Sequence, residues 1–174
     1  MILTGKEIEQ RLGKSIVITP YDAKCLNPNS YNLKLHDEVL VYTEDVLDPK
    51  KDNATRSIVI PKAGLIIEPG QLYLARTHEY TETHGLVPMI IGRSSTGRLG
   101  ITVHVTSGFG DIGFCGYWTL QLTCTKRVRI YPQMEICQIF YHSVLGEYED
   151  YSSAKYQNSG SAMPCQLYKE FKYD

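Results

Sequence analysis

What most limits the folds open to this chain is a succession of short apolar runs with strand alternation. They read SIVIT, YNLKLH, EVLVY, SIVI, LII, QLYLAR, LVPMII, ITVHVT, YWTLQLTC, RVRI and EICQIFYH. Turn formers such as Asn27-Pro28, Pro69-Gly70, Ser107-Gly108 and Tyr131-Pro132 separate many of them. Short strands at this spacing predict a mainly β fold, an antiparallel sandwich or barrel. The 13 tyrosines suit such pleated, half-buried surfaces. One short N-terminal helix is expected ahead of the strands. Thr4-Gly-Lys-Glu7 has capping-box spacing, Ile8 and Leu12 share a face, and Gly13 closes the segment.

At 174 residues the chain suffices for one domain whose core needs no staples. No repeat or linker divides it, so residues 1–174 read as a single unit. Residues 147–174 stand apart as a polar tail that either frays or closes over a ligand. A net charge of −1 without a long basic run argues against duplex nucleic acid as a partner, and TKRVR at 125–129 reads as a solvated strand edge. The five cysteines form no C-x-x-C and read as reduced thiols. No stretch reaches membrane-spanning length and no leader pattern opens the sequence. A soluble, cytoplasmic protein with no membrane partner is expected.

Two metal motifs fail on spacing. His78 and His84 in HEYTETH lie six residues apart rather than four, in a strand-like context. His36-Asp-Glu38 and Pro164-Cys165 look like two halves of a zinc-deaminase signature, but Tyr168 stands where its second cysteine belongs. No zinc and no metal held directly by the protein is expected.

IGRSSTGRLG, residues 91–100, is more specific. A helical turn after Gly92 would aim free amides and the hydroxyls of Ser94 and Ser95 at one anion. Arg98, four residues after Ser94, would share that face, and Arg93 adds a second guanidinium. The plain alternative is a serine-capped turn with a surface arginine.

GRSSTGRLG is followed by HVTSGFGDIGF-x-G, then WTLQL, then Tyr151, Ala154-Lys155-Tyr156-Gln157 and LYKEF. With MILTGKEI and NPNSYNLKLH at the start, these blocks resemble the dCTP deaminase branch of the dUTPase-like family along nearly the whole chain, most of all its bifunctional, dUMP-forming members. The resemblance implies a distorted antiparallel β-barrel, a homotrimer with pockets between subunits, and a nucleotide ligand carrying Mg²⁺ on its phosphates. It implies that Ser94, Ser95 and Arg98 handle phosphates, and that the hairpin from His104 through Thr106, Ser107 and Phe109 to Asp111 takes base and sugar. It also implies that Tyr151, Lys155 and Tyr156 reach the triphosphate from a closing tail.

One position departs from the family. Strand alternation puts Trp118, Leu120, Leu122 and Cys124 on one face, and Tyr117, Thr119, Gln121 and Thr123 on the other. The resembled deaminases carry glutamate where Gln121 stands. Deamination at C4 of cytosine needs a group that takes a proton from water and delivers it, and an amide cannot do so near neutral pH. Ile91, Ser107 and Ser159 depart more weakly. These residues predict a pocket protein that has lost deaminase turnover and captures or sequesters a nucleotide, such as a signalling nucleotide. The alternative is an enzyme of the family acting on dCTP or dUTP with Mg²⁺. It would be a surviving dUTPase using Asp111 to orient water, or a deaminase inactivated by a Glu→Gln change.

Overall fold

Thr4 opens the first helix, α1 (Gly5–Arg11), by accepting the Glu7 N–H on its hydroxyl at 3.3 Å. Glu7 does not reach back to complete the box. Its carboxylate takes the Arg11 Nε–H one turn on, at 2.7 Å. The helix buries Gly5 and Ile8 against the sheet that follows.

The chain is described by a computed structural model over residues 1–105, 107–152 and 155–171. After α1 come β1 (Ile16–Thr19), β2 (Tyr31–Tyr42), β3 (Thr55–Val59), β4 (Leu65–Ile67), β5 (Tyr73–Thr77), β6 (Tyr80–Thr83) and β7 (Leu86–Gly92). A one-turn helix, α2 (Ser94–Arg98), leads to β8 (Ile101–Val103), β9 (Cys115–Gly116), β10 (Thr119–Cys124), β11 (Val128–Ile130) and β12 (Glu135–Ser143).

The main sheet runs β7-β12-β2-β5-β10-β8, with β3 added beside β2, and its pairings are antiparallel. Its two end strands are joined through α2. A Cβ placed on Gly92 of β7 would lie 3.8 Å from the Val103 Cβ of β8, so the sheet curls almost onto itself. A small sheet, β1-β6-β9, and a ribbon, β11-β4, complete the barrel-like shell. This is the expected distorted antiparallel barrel with one short N-terminal helix. Among the described residues no helix is long and apolar enough to cross a membrane.

Strand alternation fills the interior. Leu120 and Leu122 of β10 are fully buried, as are Leu33 and Leu35 of β2 and Ile136, Ile139 and Tyr141 of β12. Trp118 and Cys124 join them on the same face.

Three expectations change at the level of elements. YNLKLH and EVLVY are one strand, because β2 continues through His36-Asp37 and absorbs a register shift between Leu35 and Val39. ITVHVT stops as a strand at Val103, because His104 takes a left-handed φ of 51° that leaves the pleat. β6, sequence YTET, has no apolar signal to read. Its buried Thr81 is held by hydrogen bonds instead: Thr81 Oγ1 donates to the Gly116 carbonyl at 3.3 Å and accepts Trp118 Nε1–H at 2.9 Å.

Leu122→Ala should lower unfolding free energy by about 2–5 kcal/mol, while Thr123→Ala on the opposite face should change it by no more than about 0.5 kcal/mol. Urea unfolding followed by Trp118 fluorescence measures both, and equal losses would contradict the assigned facing of β10.

Candidate functional site

The polar face of β10 supplies one wall of a cavity of about 570 Å³. Tyr117, Thr119 and Gln121 line it, and Leu72, Leu74 and Phe114 add apolar surface. Gln121 is half-buried and pairs in register with Leu74, so it cannot leave this wall without shifting β10 against β5. Arg76 of β5 stacks its guanidinium over the Tyr117 ring, 4.1 Å from the centroid, which stiffens that part of the wall.

The hairpin after β8 crosses the cavity. The His104 N–H donates to the Gln121 carbonyl at 3.2 Å, tying the hairpin's start to the centre of β10. Further along, Ile90 N–H donates to the Gly108 carbonyl at 2.7 Å and Gly110 N–H to the Pro88 carbonyl at 2.9 Å. Glycine is required at 110, because a Cβ there would lie 2.3 Å from the Trp118 ring and 2.9 Å from Pro88. Ser107, Phe109 and Asp111 of this hairpin all line the cavity. Asp111 also begins a turn, its carbonyl accepting Phe114 N–H at 3.2 Å, so the turn reading and the pocket reading hold together. Thr106, also expected here, lies outside the described residues.

His104 is the most perturbed group in the cavity. Nδ1 faces the Ser107 hydroxyl at 3.2 Å, and Nε2 is buried without a hydrogen-bond partner. Burial pushes its pKa down to about 4. At neutral pH it is an uncharged ring with one polar nitrogen to offer, suited to a neutral polar group and unsuited to pairing with phosphate.

The tail folds over the same chain's cavity. Tyr151 N–H donates to the Ile112 carbonyl at 2.7 Å. Gln157 clamps the turn beneath it, accepting Cys115 N–H at 3.0 Å and donating to the Gly113 and Tyr151 carbonyls at 2.8 Å. Ser159 bridges Gly116 in parallel, and the Ser159 hydroxyl donates to the Tyr117 carbonyl at 2.8 Å. Beyond it, Met163 N–H reaches the Thr119 hydroxyl and Cys165 N–H the Tyr42 hydroxyl, both across the cavity. Tyr151 and Tyr156 line the cavity. Lys155 does not: it is ion-paired with Glu170 within the tail.

The serine–arginine turn stands elsewhere. α2 forms as expected after Gly92, and Ser94, Ser95 and Arg98 are exposed on it. None of them lines the cavity of this chain. Arg93 is committed to its own barrel, with NH2 2.9 Å from the Glu135 carboxylate and NH1 donating to the Glu135 carbonyl at 3.0 Å. Thr96 is buried under the turn and donates to the Arg93 carbonyl. Arg93 therefore ties α2 to β12, with both terminal nitrogens of its guanidinium engaged by Glu135. The sequence pattern carried no sign of this, because Glu135 is 42 residues away.

A family model described as dCTP deaminase-like matches residues 2–144. A dCTP deaminase, dUMP-forming, of Clostridium acetobutylicum is 60% identical over 98% of this chain and 99% of its own length. The protein of the same name from Cytophaga hutchinsonii is 58% identical over 99% of each. Among solved structures, the 2'-deoxycytidine 5'-triphosphate deaminase of Agrobacterium tumefaciens shares the fold, with a TM-score of 0.65, 19% identity and 82% of this chain covered. This chain spans 48% of that longer protein.

These relatives overturn the expectation of a nucleotide-sequestering protein without turnover. That expectation rested on the side chain at Gln121, whereas proteins alike along the whole chain carry the name of dUMP-forming deaminases. The physical reason is that breaking a phosphoanhydride bond needs no proton delivered to the base. An amide at one wall position therefore leaves the remaining chemistry of such a cavity available.

Burial also lowers His36 and His78, with the nearby Arg76 charge as the next cause. A histidine whose folded pKa lies below its unfolded value takes its proton first in the unfolded chain. Stability from His104 is therefore complete above the unfolded value of about 6.5 and is lost as pH falls toward 4. Urea unfolding at pH 7.5, 6 and 5 should show this decline, and His104→Gln should make it shallower, leaving the part due to His36 and His78. An imidazole signal of His104 titrating near pH 6.5 in NMR would contradict the assigned environment.

Proposed function

The chain belongs to the dCTP deaminase-like family, and from that premise we propose that it is an enzyme forming dUMP from a pyrimidine deoxynucleoside triphosphate. The observation that carries the reading is the convergence of Gln121, His104 and Asp111 on one tail-covered cavity in a chain so similar to dUMP-forming relatives.

The base enters between the apolar wall and the β10 amide. Neutral His104 and Gln121 offer hydrogen bonds to its polar edge, and the tail tyrosines close over the sugar–phosphate side. Asp111 is the carboxylate among the described lining residues, and it holds the attacking water in line with the α-phosphorus. The bond from that phosphorus to the bridging oxygen breaks, so dUTP and water give dUMP and diphosphate. Mg²⁺ would be held on the substrate's phosphate oxygens, with the Asp111 carboxylate facing the same end of the cavity. When bound, the ion neutralises phosphate charge. From dCTP a second water adds at C4 and ammonia leaves. Gln121 hydrogen-bonds that water without carrying its proton, so diphosphate release is the faster half of the chemistry.

The phosphate end calls for a second copy. Ser94, Ser95 and Arg98 are exposed and lie outside their own cavity, and apolar Ile91, Leu99 and Val105 of the same stretch are exposed with them. In the proposed homotrimer, α2 of one subunit supplies hydroxyls and a guanidinium to the neighbour's cavity.

With Mg²⁺ and dUTP, chromatography should show dUMP and diphosphate, and Asp111→Asn should lose about 10²–10⁴-fold in rate. Gln121→Glu should raise ammonia release from dCTP by about 10²–10⁴-fold while changing dUTP hydrolysis only a few-fold. A preparation inert toward both nucleotides at high enzyme concentration would remove the proposal. Leu99→Asp should shift light-scattering mass from trimer to monomer and abolish dUMP formation with the circular dichroism unchanged. A fully active monomer would exclude the shared pocket.

A further inference from the structure

The geometry points to a zinc site outside the nucleotide cavity, formed by Glu82, His84 and Cys115. Alternation along β6 buries Thr81 and Thr83 and leaves Tyr80, Glu82 and His84 on the other face. Cys115 on β9 sits directly opposite Glu82 in the antiparallel register. A carboxylate, an imidazole and a thiol thus meet across two paired strands, with one ligand atom from each inside 4.8 Å of the others. Directly opposed strand residues bring their Cβ atoms to about 5 Å, which leaves room for one ion between short side chains.

The distances suit a tetrahedral ion. Zinc–nitrogen and zinc–oxygen bonds of about 2.0–2.2 Å place two ligands of a tetrahedron about 3.3 Å apart. His84 Nε2 lies 3.2 Å from Glu82 Oε2. The second carboxylate oxygen is already fixed, since the Tyr80 hydroxyl donates to Glu82 Oε1 at 3.0 Å. Such an outer hydrogen bond orients a ligating carboxylate. A nitrogen, an oxygen and a sulfur donor favour zinc over Mg²⁺, which takes oxygen alone. With three protein ligands, water completes the fourth position.

Neither histidine motif of the sequence predicted this site. His84 was paired there with His78, whereas the fold brings it to a cysteine 31 residues later in the chain. The site also has a structural consequence. Cys115 N–H is the group that Gln157 of the tail accepts, and neighbouring Gly116 bridges Ser159. Zinc at Cys115 would brace the strand on which the cavity-covering tail docks.

The test uses the full chain stripped with a chelator, then titrated with Zn²⁺ or Co²⁺ alone and no nucleotide, so it is read independently of the dUMP-forming activity. One equivalent of zinc per chain should be retained by mass spectrometry, and Co²⁺ should give a thiolate charge-transfer band. Cys115→Ser should abolish that band, and His84→Ala should weaken zinc binding by at least about 10-fold. Tyr80→Phe should weaken it by about 10-fold through the freed carboxylate. Cys165→Ser, altering an exposed thiol, should leave stoichiometry and band unchanged. Circular dichroism with each titration verifies that the variants fold. Failure to retain one equivalent at micromolar zinc, or a cobalt–thiolate band that survives Cys115→Ser, would overturn the assignment.

Discussion

The two faces of β10 cannot be changed independently, and the rest of the molecule depends on that. Leu120 and Leu122 are locked in the core while β5 and β8 hold the strand from both edges. A slip of one residue would bury Gln121 and expose both leucines. Core packing therefore fixes the wall of the cavity: the same period of two that buries the leucines holds the amide on the cavity side.

The hairpin inherits that order. His104 leaves the pleat at a positive φ, yet its N–H is bonded to the Gln121 carbonyl, so the departure point is pinned to the wall. Gly110 then lets the returning chain lie against Trp118 and Pro88, and Asp111 arrives at the cavity as the first residue of a turn. The cavity thus combines an uncharged histidine, an amide and one carboxylate. Such a set offers uncharged hydrogen-bonding groups on the β10 side and a carboxylate on the hairpin side.

Much of the fold was legible because its causes are local. The α1 cap is three residues wide, and the alternation of YWTLQLTC is read within one strand. Gln121, Asp111 and the tail tyrosines, singled out by facing or resemblance, all line one cavity. Local pattern gave no sign of the ion pairs that Arg93 makes with Glu135 and Lys155 with Glu170, since both partners lie far along the chain. A guanidinium beside two serines has the same sequence signature whether it faces an anion or its own barrel. β6 showed only as the strand-like context of HEYTETH, because its buried side chains are threonines and the hydrogen bonds that hold Thr81 reach residues far along the chain.

The sequence by itself determined the strand-rich fold, the N-terminal cap, the facing of β10 and the absence of a proton-carrying side chain at position 121. Each follows from side-chain chemistry and from periods only a few residues long. Tertiary structure alone decided that α2 points away from its own cavity, that the tail covers that cavity, and that His84 meets Cys115. Those outcomes depend on which strands pair and in which register, and pairing is set by burial summed over the whole barrel.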